Sequence, residues 1–232
     1  MISIDLNCDL GEGAGTDAEL LPLITSANVS CGAHAGTRDE IAATLQQAGR
    51  LGVSVGAHPS HSDREHFGRR ELTLPSRDVL EETHAQILAL KELAEQFKVT
   101  LAYVKPHGAL YNQACRDDAY ADAVVSACAL SGLPVVGLPG SRLEIRATGR
   151  VPFFAEGFAD RGYRPDGSLV PRDQPGAFIK DPAAAAEQVR RLIAERGVRT
   201  ICVHGDNPEA VAFVKAVRAE LLRGGAKLRP FA

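Results

Sequence analysis

The stretch Leu101-Ala102-Tyr103-Val104-Lys105-Pro106-His107 is a short run of apolar and β-favouring residues that ends on two titratable side chains. Residues 101–105 read as a strand, and Lys105 and His107 stand where the chain leaves it. Six other runs have the same shape, at 3–7, 27–30, 53–56, 135–138, 151–155 and 200–203. Most are followed by a segment of helical period, the pattern of a parallel sheet with helical crossovers. Several are continuously apolar, as strands covered on both faces should be. Residues 228–230 offer one further short candidate.

Helix signals support this reading. Val79, Leu80, Thr83, Ile87, Leu90, Ala94 and Phe97 recur at helical steps, predicting one long amphipathic helix with Ser76 as N-cap. Asp181-Pro182 and Asn207-Pro208 each set a capping side chain before a proline at the first helical position, and Gly197 and Gly224 are the expected left-handed stops. No repeat or linker divides the 232 residues, which fit one domain, 1–232, with a sizeable core.

Composition narrows the function. With 26 basic and 29 acidic residues and no Lys/Arg run, nothing tracks a nucleic-acid backbone. No uncharged apolar stretch is long enough for a membrane span, and no leader-like start is present, so a cytoplasmic protein is expected. The five cysteines include no C-x-x-C pair, which suits reduced thiols better than a disulfide framework or a thiolate zinc site.

In parallel α/β folds ligands gather at the carboxyl ends of the strands. Those positions hold Asn7, Asp9 and Glu12 after the first strand, His34 after the second, His58 after the third, and Lys105 and His107 after the fourth. Glu156 and Asp160 follow the sixth, His204 and Asp206 the seventh. About four positions after each strand amount to roughly 28 of 232 residues, which would catch about one histidine of seven by chance; four fall there. An open sheet brings only the strands near its switch point together, whereas a barrel converges them all, so a barrel is expected. Taken singly, each histidine is as well explained by a backbone carbonyl at a strand end, and Asn7, Asp9 and Glu12 by a turn around Gly11 and Gly13. His61, His66 and His84 read as surface or helix positions.

The set fits three chemistries. Asp9 or a histidine can act as general base toward water, with Lys105 or a backbone amide stabilising an oxyanion. Asp and His side chains, with Asp9, His58 and His107 as candidates, can hold a divalent metal that acidifies water. Cys31 with His34 can form a nucleophilic pair, although no third orienting group is evident. Two long connections, 59–75 and 157–180, are rich in Arg, Asp and Gly. They read as flaps over a polar ligand or as solvated excursions. P-loop, G-x-G-x-x-G, G-x-S-x-G and H-E-x-x-H signatures are absent.

Together the strand-end motifs resemble the LamB/YcsF family: DLNCDLGEG (5–13), NVSCGAHAG (28–36), GAHPSHSDREHFGRR (56–70), VKPHGALYN (104–112), FADRGYRPDGSLVPR (158–172) and VHGD (203–206). The motifs lie in family order across the chain. Ala33, Thr37 and Ser62 depart from the usual pattern. The resemblance implies an irregular (β/α) barrel of about seven parallel strands, similar to the glycoside hydrolase/deacetylase superfamily. It further implies the A subunit of ATP-dependent 5-oxoprolinase, which with partner subunits B and C opens 5-oxo-L-proline to L-glutamate. ATP is then a co-substrate of the complex, and a divalent metal is a further candidate. Catalytic roles fall to Asp9, Glu12, Lys105 and His107. Substrate contacts fall to Asn7, His34, His58, Arg64, Arg69, Asp160, Arg161, His204 and Asp206, with the Arg-rich loops, Arg172 included, offering a bidentate carboxylate site. A non-catalytic substrate-presenting subunit and a metal-dependent deacetylase-like amidohydrolase are the alternatives.

Overall fold

The computed structural model describes residues 3–204 and 210–232. Its strands are β1 (Ser3–Leu10), β2 (Ser26–Ser30), β3 (Ser54–His58), β4 (Leu101–Val104), β5 (Val135–Gly137), β6 (Phe153–Phe158), β7 (Thr200–Cys202) and β8 (Lys227–Leu228). The helices are α1 (Asp17–Leu20), α2 (Arg38–Leu51), α3 (Ser76–Glu95), α4 (Gly108–Arg116), α5 (Asp118–Ser131), α6 (Arg142–Ala147), α7 (Pro182–Arg196) and α8 (Ala210–Arg223).

Strands β1 to β7 pair in sequence order, all parallel, and β1 pairs with both β2 and β7, closing a seven-stranded barrel. The suspected extra strand exists as β8, which pairs with Ser3 and Ile4 of β1. It lies outside the ring because β7 takes up pairing with β1 only from Asp5 onward.

Side chains alternate across a strand, so β1 reads SIDLNCDL as two faces. Ile4, Leu6, Cys8 and Leu10 join the apolar core between barrel and helices, with Leu45 of α2 and Val217 of α8. Asp5, Asn7 and Asp9 point into the barrel, where they hydrogen-bond to residues of other strands. The interior is thus packed with polar groups rather than the branched apolar layers usual in such barrels. At the strand starts Phe231 closes the bore, its ring centroid 4.8 Å from those of both Tyr103 and Phe154.

Helix ends follow their capping chemistry with two shifts. Asp181 caps α7 through Ala183 and Ala184, Pro182 opens it, and Gly197 ends it in the left-handed region. For α3 the cap position falls on Pro75, and Ser76 is already helical. The left-handed glycine after α8 is Gly225 (φ 79°), one residue beyond the expected Gly224. The Asn207-Pro208 cap lies outside the described residues. Of the two long connections, 59–75 contains one short 3-10 turn at Arg64–His66. The other begins later than expected, since Gly157 belongs to β6, and is pinned by antiparallel bridges Arg161 to Phe178 and Tyr163 to Leu169. No described helix is long and apolar enough to cross a membrane.

Candidate active site

The polar side chains of the bore form a ladder. At its base Asp5 accepts hydrogen bonds from Thr25, Ser26 and Thr200. Above it the Asn7 amide donates to Glu156 and Thr200, and Asn28 donates to Asn7 Oδ1 at 2.7 Å and Asp9 Oδ1 at 2.8 Å. Tyr103 Oη in turn donates to Asn28 Oδ1. Burial pushes the Asp5 carboxyl up to about 6, against the hydroxyls that favour its ionised form.

Lys105, at the end of β4, reaches inward to the top of the ladder. Its Nζ lies 2.9 Å from both Asp9 Oδ1 and Glu156 Oε1 and 3.1 Å from Cys202 Sγ, and all four residues are buried. Burial alone would lower the lysine, yet Asp9, Cys202 and Glu156 hold it well above its usual range, so it is an ammonium at neutral pH. Burial likewise opposes ionisation of Asp9, but His58 and Lys105 hold it well below the usual carboxylate range. Glu156 keeps a raised value, burial outweighing its single ammonium partner.

Over these four residues stands a cluster of histidines delivered by successive strand ends. His58 Nε2 lies 3.4 Å from Asp9 Oδ2, and His34 stacks on His107 with centroids 3.9 Å apart. Glu12 Oε1 lies 2.9 Å from His34 Nε2 and 3.3 Å from His107 Nδ1. Burial lowers His34 and, helped by its imidazole neighbours, lowers His107 well below the usual range, so both are neutral near pH 7. Burial also opposes the charge on His58, but Asp9 raises it. Glu12, His34, His58 and His107 together present four donor atoms within 4.8 Å of one another; Asp9, Cys202 and His204 form a second such group.

These groups lie at the floor of a cavity of about 770 Å³ at the carboxyl rim. Asp9, His58, Lys105 and His107 line it below, and Arg69, Arg161 and Arg172 line it above. Arg161 is itself buried. It donates to Ala177 O at 3.0 Å and Val170 O, and burial with Arg172 nearby pulls it down to about 10. His204 Nδ1 sits 2.9 Å from Asp160 Oδ2, and although burial opposes it, this pair holds Asp160 below its ordinary value.

Eleven of the expected site residues, among them Asn7, Glu12 and His34, therefore meet in or beside one mouth. Arg64 does not: its guanidinium donates to Gly32 O at 2.6 Å and Gly36 O at 3.0 Å, bracing the loop after β2. Asp206 lies outside the described residues. His61 is not a surface position, since it is buried against Gln113 at 2.7 Å and the Tyr120 ring. Cys31 is a poor nucleophile, because the packing around it pushes the thiol up to about 12. Sequence reading missed Asn28 and Cys202 as site residues and placed Glu156 after its strand. The alternation of polar residues in β1 was the available signal that the bore is polar.

The architecture is that of a closed, all-parallel α/β barrel of the deacetylase-like kind, with its polar site at the carboxyl rim. Residues 4–232 match the LamB/YcsF family, and the chain belongs to that family. A lactam utilization protein from Thermus thermophilus is 38% identical, superimposing with a TM-score of 0.91 over 99% of this chain and all of that one. More distant likenesses share the fold. A polysaccharide deacetylase from Bacillus cereus (15% identity, TM-score 0.55) is matched over 100% of this chain and 93% of that one. A family 4 carbohydrate esterase from Streptomyces lividans (12%, TM-score 0.55) is matched over 99% and 93%.

Proposed function

We propose that this chain opens a lactam ring by hydrolysis, as the A subunit of an ATP-dependent 5-oxoprolinase that works with subunits B and C on 5-oxo-L-proline. The observation that carries the reading is the meeting of Asp9, Lys105, His58 and His107 on the floor of one cavity whose upper wall bears Arg69, Arg161 and Arg172.

The roles follow from the charges. The arginines take the substrate carboxylate, which sets the ring's amide toward the floor. The Lys105 ammonium supports the charge that develops on the amide oxygen, and it does so without reorganising because two carboxylates already hold it in place. Asp9, ionised and fixed by Asn28 and Lys105, takes the proton of the attacking water. The Asp160 and His204 pair borders the same space and is placed to return a proton to the leaving nitrogen. A divalent ion in the histidine cluster supplies, when bound, an acidified water and a polarised carbonyl. A lactam is a resonance-stabilised amide whose nitrogen is a poor leaving group, so ATP turnover in the complex provides the activation.

The test is reconstitution. The purified chain with subunits B and C, 5-oxoproline and ATP should yield glutamate, and omission of any one component should abolish it. Asp9→Asn should still assemble with both partners and lose about 100-fold or more in turnover. An Asp9→Asn complex working at the parent rate would make the chain a substrate-presenting subunit instead.

A further inference from the structure

His58 Nδ1 lies 2.7 Å from Lys105 O, and His107 Nε2 lies 2.9 Å from Phe67 O. A carbonyl oxygen can only accept, so each of these nitrogens carries its ring's hydrogen. The tautomer of both rings is thereby set by the backbone. On each neutral ring the other nitrogen bears a lone pair, and the two atoms concerned, His58 Nε2 and His107 Nδ1, face each other at 2.9 Å. Two lone pairs do not bond to each other; something positive belongs between them.

A single shared proton would serve that pair alone, but the pair is not alone. Glu12 Oε1 stands 3.3 Å from His107 Nδ1 and 3.8 Å from His58 Nε2, and 2.9 Å from His34 Nε2. Four donor atoms from four strand ends thus converge within 4.8 Å. Ligands about 2.0–2.1 Å from a central ion in a tetrahedron are about 3.3–3.4 Å apart, inside the 2.9–3.8 Å range of the four separations above.

We infer that Glu12, His34, His58 and His107 bind one transition-metal ion, and that Asp9 lies outside this site. Three imidazoles and a carboxylate select zinc, cobalt, nickel or iron over magnesium or calcium, which prefer all-oxygen shells. The backbone carbonyls of Lys105 and Phe67 are the outer partners that orient imidazole ligands in such centres. The second acidic group, Asp9 with Cys202 and His204, already contains a cation of the protein's own: Lys105 Nζ sits 2.9 Å from Asp9 Oδ1 and 3.1 Å from Cys202 Sγ. Repulsion from that ammonium keeps a metal ion out of the second group. This inference deepens the lactam reading by naming the ligands and class of the ion invoked there, and metal uptake can succeed or fail independently of ring opening.

The test needs no substrate. The full chain, stripped with chelator and dialysed, is titrated with Zn2+ by calorimetry and with Co2+ by visible absorption. One ion per chain is expected, with a Co2+ band intensity of four-coordinate type and no displacement by a thousandfold excess of Mg2+. His58→Ala and His107→Ala should each weaken binding by about 100-fold or more, His34→Ala less, because His34 Nδ1 has no partner to orient it. Asp9→Asn should still take up one ion per chain. Melting of each metal-free variant shows that it is folded, and the parent titration stands without any variant. Failure of the parent to take up Zn2+ or Co2+ at micromolar concentration would overturn the inference, as would displacement by Mg2+ or loss of binding in Asp9→Asn.

Discussion

Glu156 and Lys105 meet at 2.9 Å with both side chains withdrawn from solvent, although the same ammonium is already bonded to Asp9 at 2.9 Å. Two carboxylates share one cation in the bore. The arrangement fixes Lys105 from two sides and leaves the interior dependent on that single positive charge.

Removing it should be costly. Lys105→Met leaves Asp9 and Glu156 buried without their cation, and a loss of about 3–5 kcal/mol in folding free energy is expected from urea denaturation. Adding Glu156→Gln to that variant removes one stranded charge and should recover part of the loss. Equal stability of the single and double variants would show that the two carboxylates are not coupled through the lysine.

Asp5 should make stability fall as pH rises. Its folded value, about 6, lies above the unfolded value near 3.8, so the folded state holds its proton more tightly. The stability this contributes is fully present below pH 3.8 and is lost as pH passes through 6. The difference of about two units corresponds to about 3 kcal/mol at most for this group. Asp5→Asn should therefore gain on the parent as pH is raised from 4 to 7. Denaturation midpoints at the two ends check it, and parallel pH curves would contradict it.

Gly68 is where the loop after β3 passes against the site. It has φ +64°, and a Cβ there would lie 2.1 Å from Ser60 Oγ, 2.9 Å from His34 Cβ and 3.1 Å from His107 Cδ2. Gly68→Ala combines left-handed strain with overpacking and should cost about 2–4 kcal/mol. Because the clash is with two imidazole-bearing residues, ligand or metal uptake should suffer as well as melting temperature. A melting temperature equal to the parent's would count against the tight approach.

Cys31 should be dispensable for chemistry. With its thiol pushed up to about 12, alkylation at pH 8 should be slow in the folded chain and fast in urea. Cys31→Ser should retain reconstituted activity within about twofold, whereas a loss of several orders of magnitude would revive the thiol mechanism.

The architecture was readable because it depends on period and on where runs stop, and apolar strands covered on both faces leave a plain trace in sequence. Every expected strand exists, but three run past their expected ends to take in site residues: the third, expected at 53–56, runs on to His58, and two others err at acids of the bore. The first was expected at 3–7 and extends to Leu10, and the sixth was expected at 151–155 and runs Phe153–Phe158. In both, inward-facing acids interrupt the apolar run: Asp9 and Glu156 look like strand ends but are bore residues. A polar side chain on the inner face has the same one-dimensional signature as one in a loop, so only the closure of the sheet reveals which it is. The strand-end histidines were legible for the opposite reason, since they sit where the chain leaves the barrel. His61 was not, because its burial depends on Gln113, 52 residues away. The bracing role of Arg64 was equally hidden, depending on carbonyls of a loop about 30 residues upstream.

The aromatic plug of Phe231 against Tyr103 and Phe154 gives the vessel a single door. The way to Lys105 is through the carboxyl-rim cavity that Arg69, Arg161 and Arg172 also line. If the chain acts on a carboxylate substrate as proposed, entry and exit share one corridor, and a spent product held by those guanidinium groups would obstruct the next arrival.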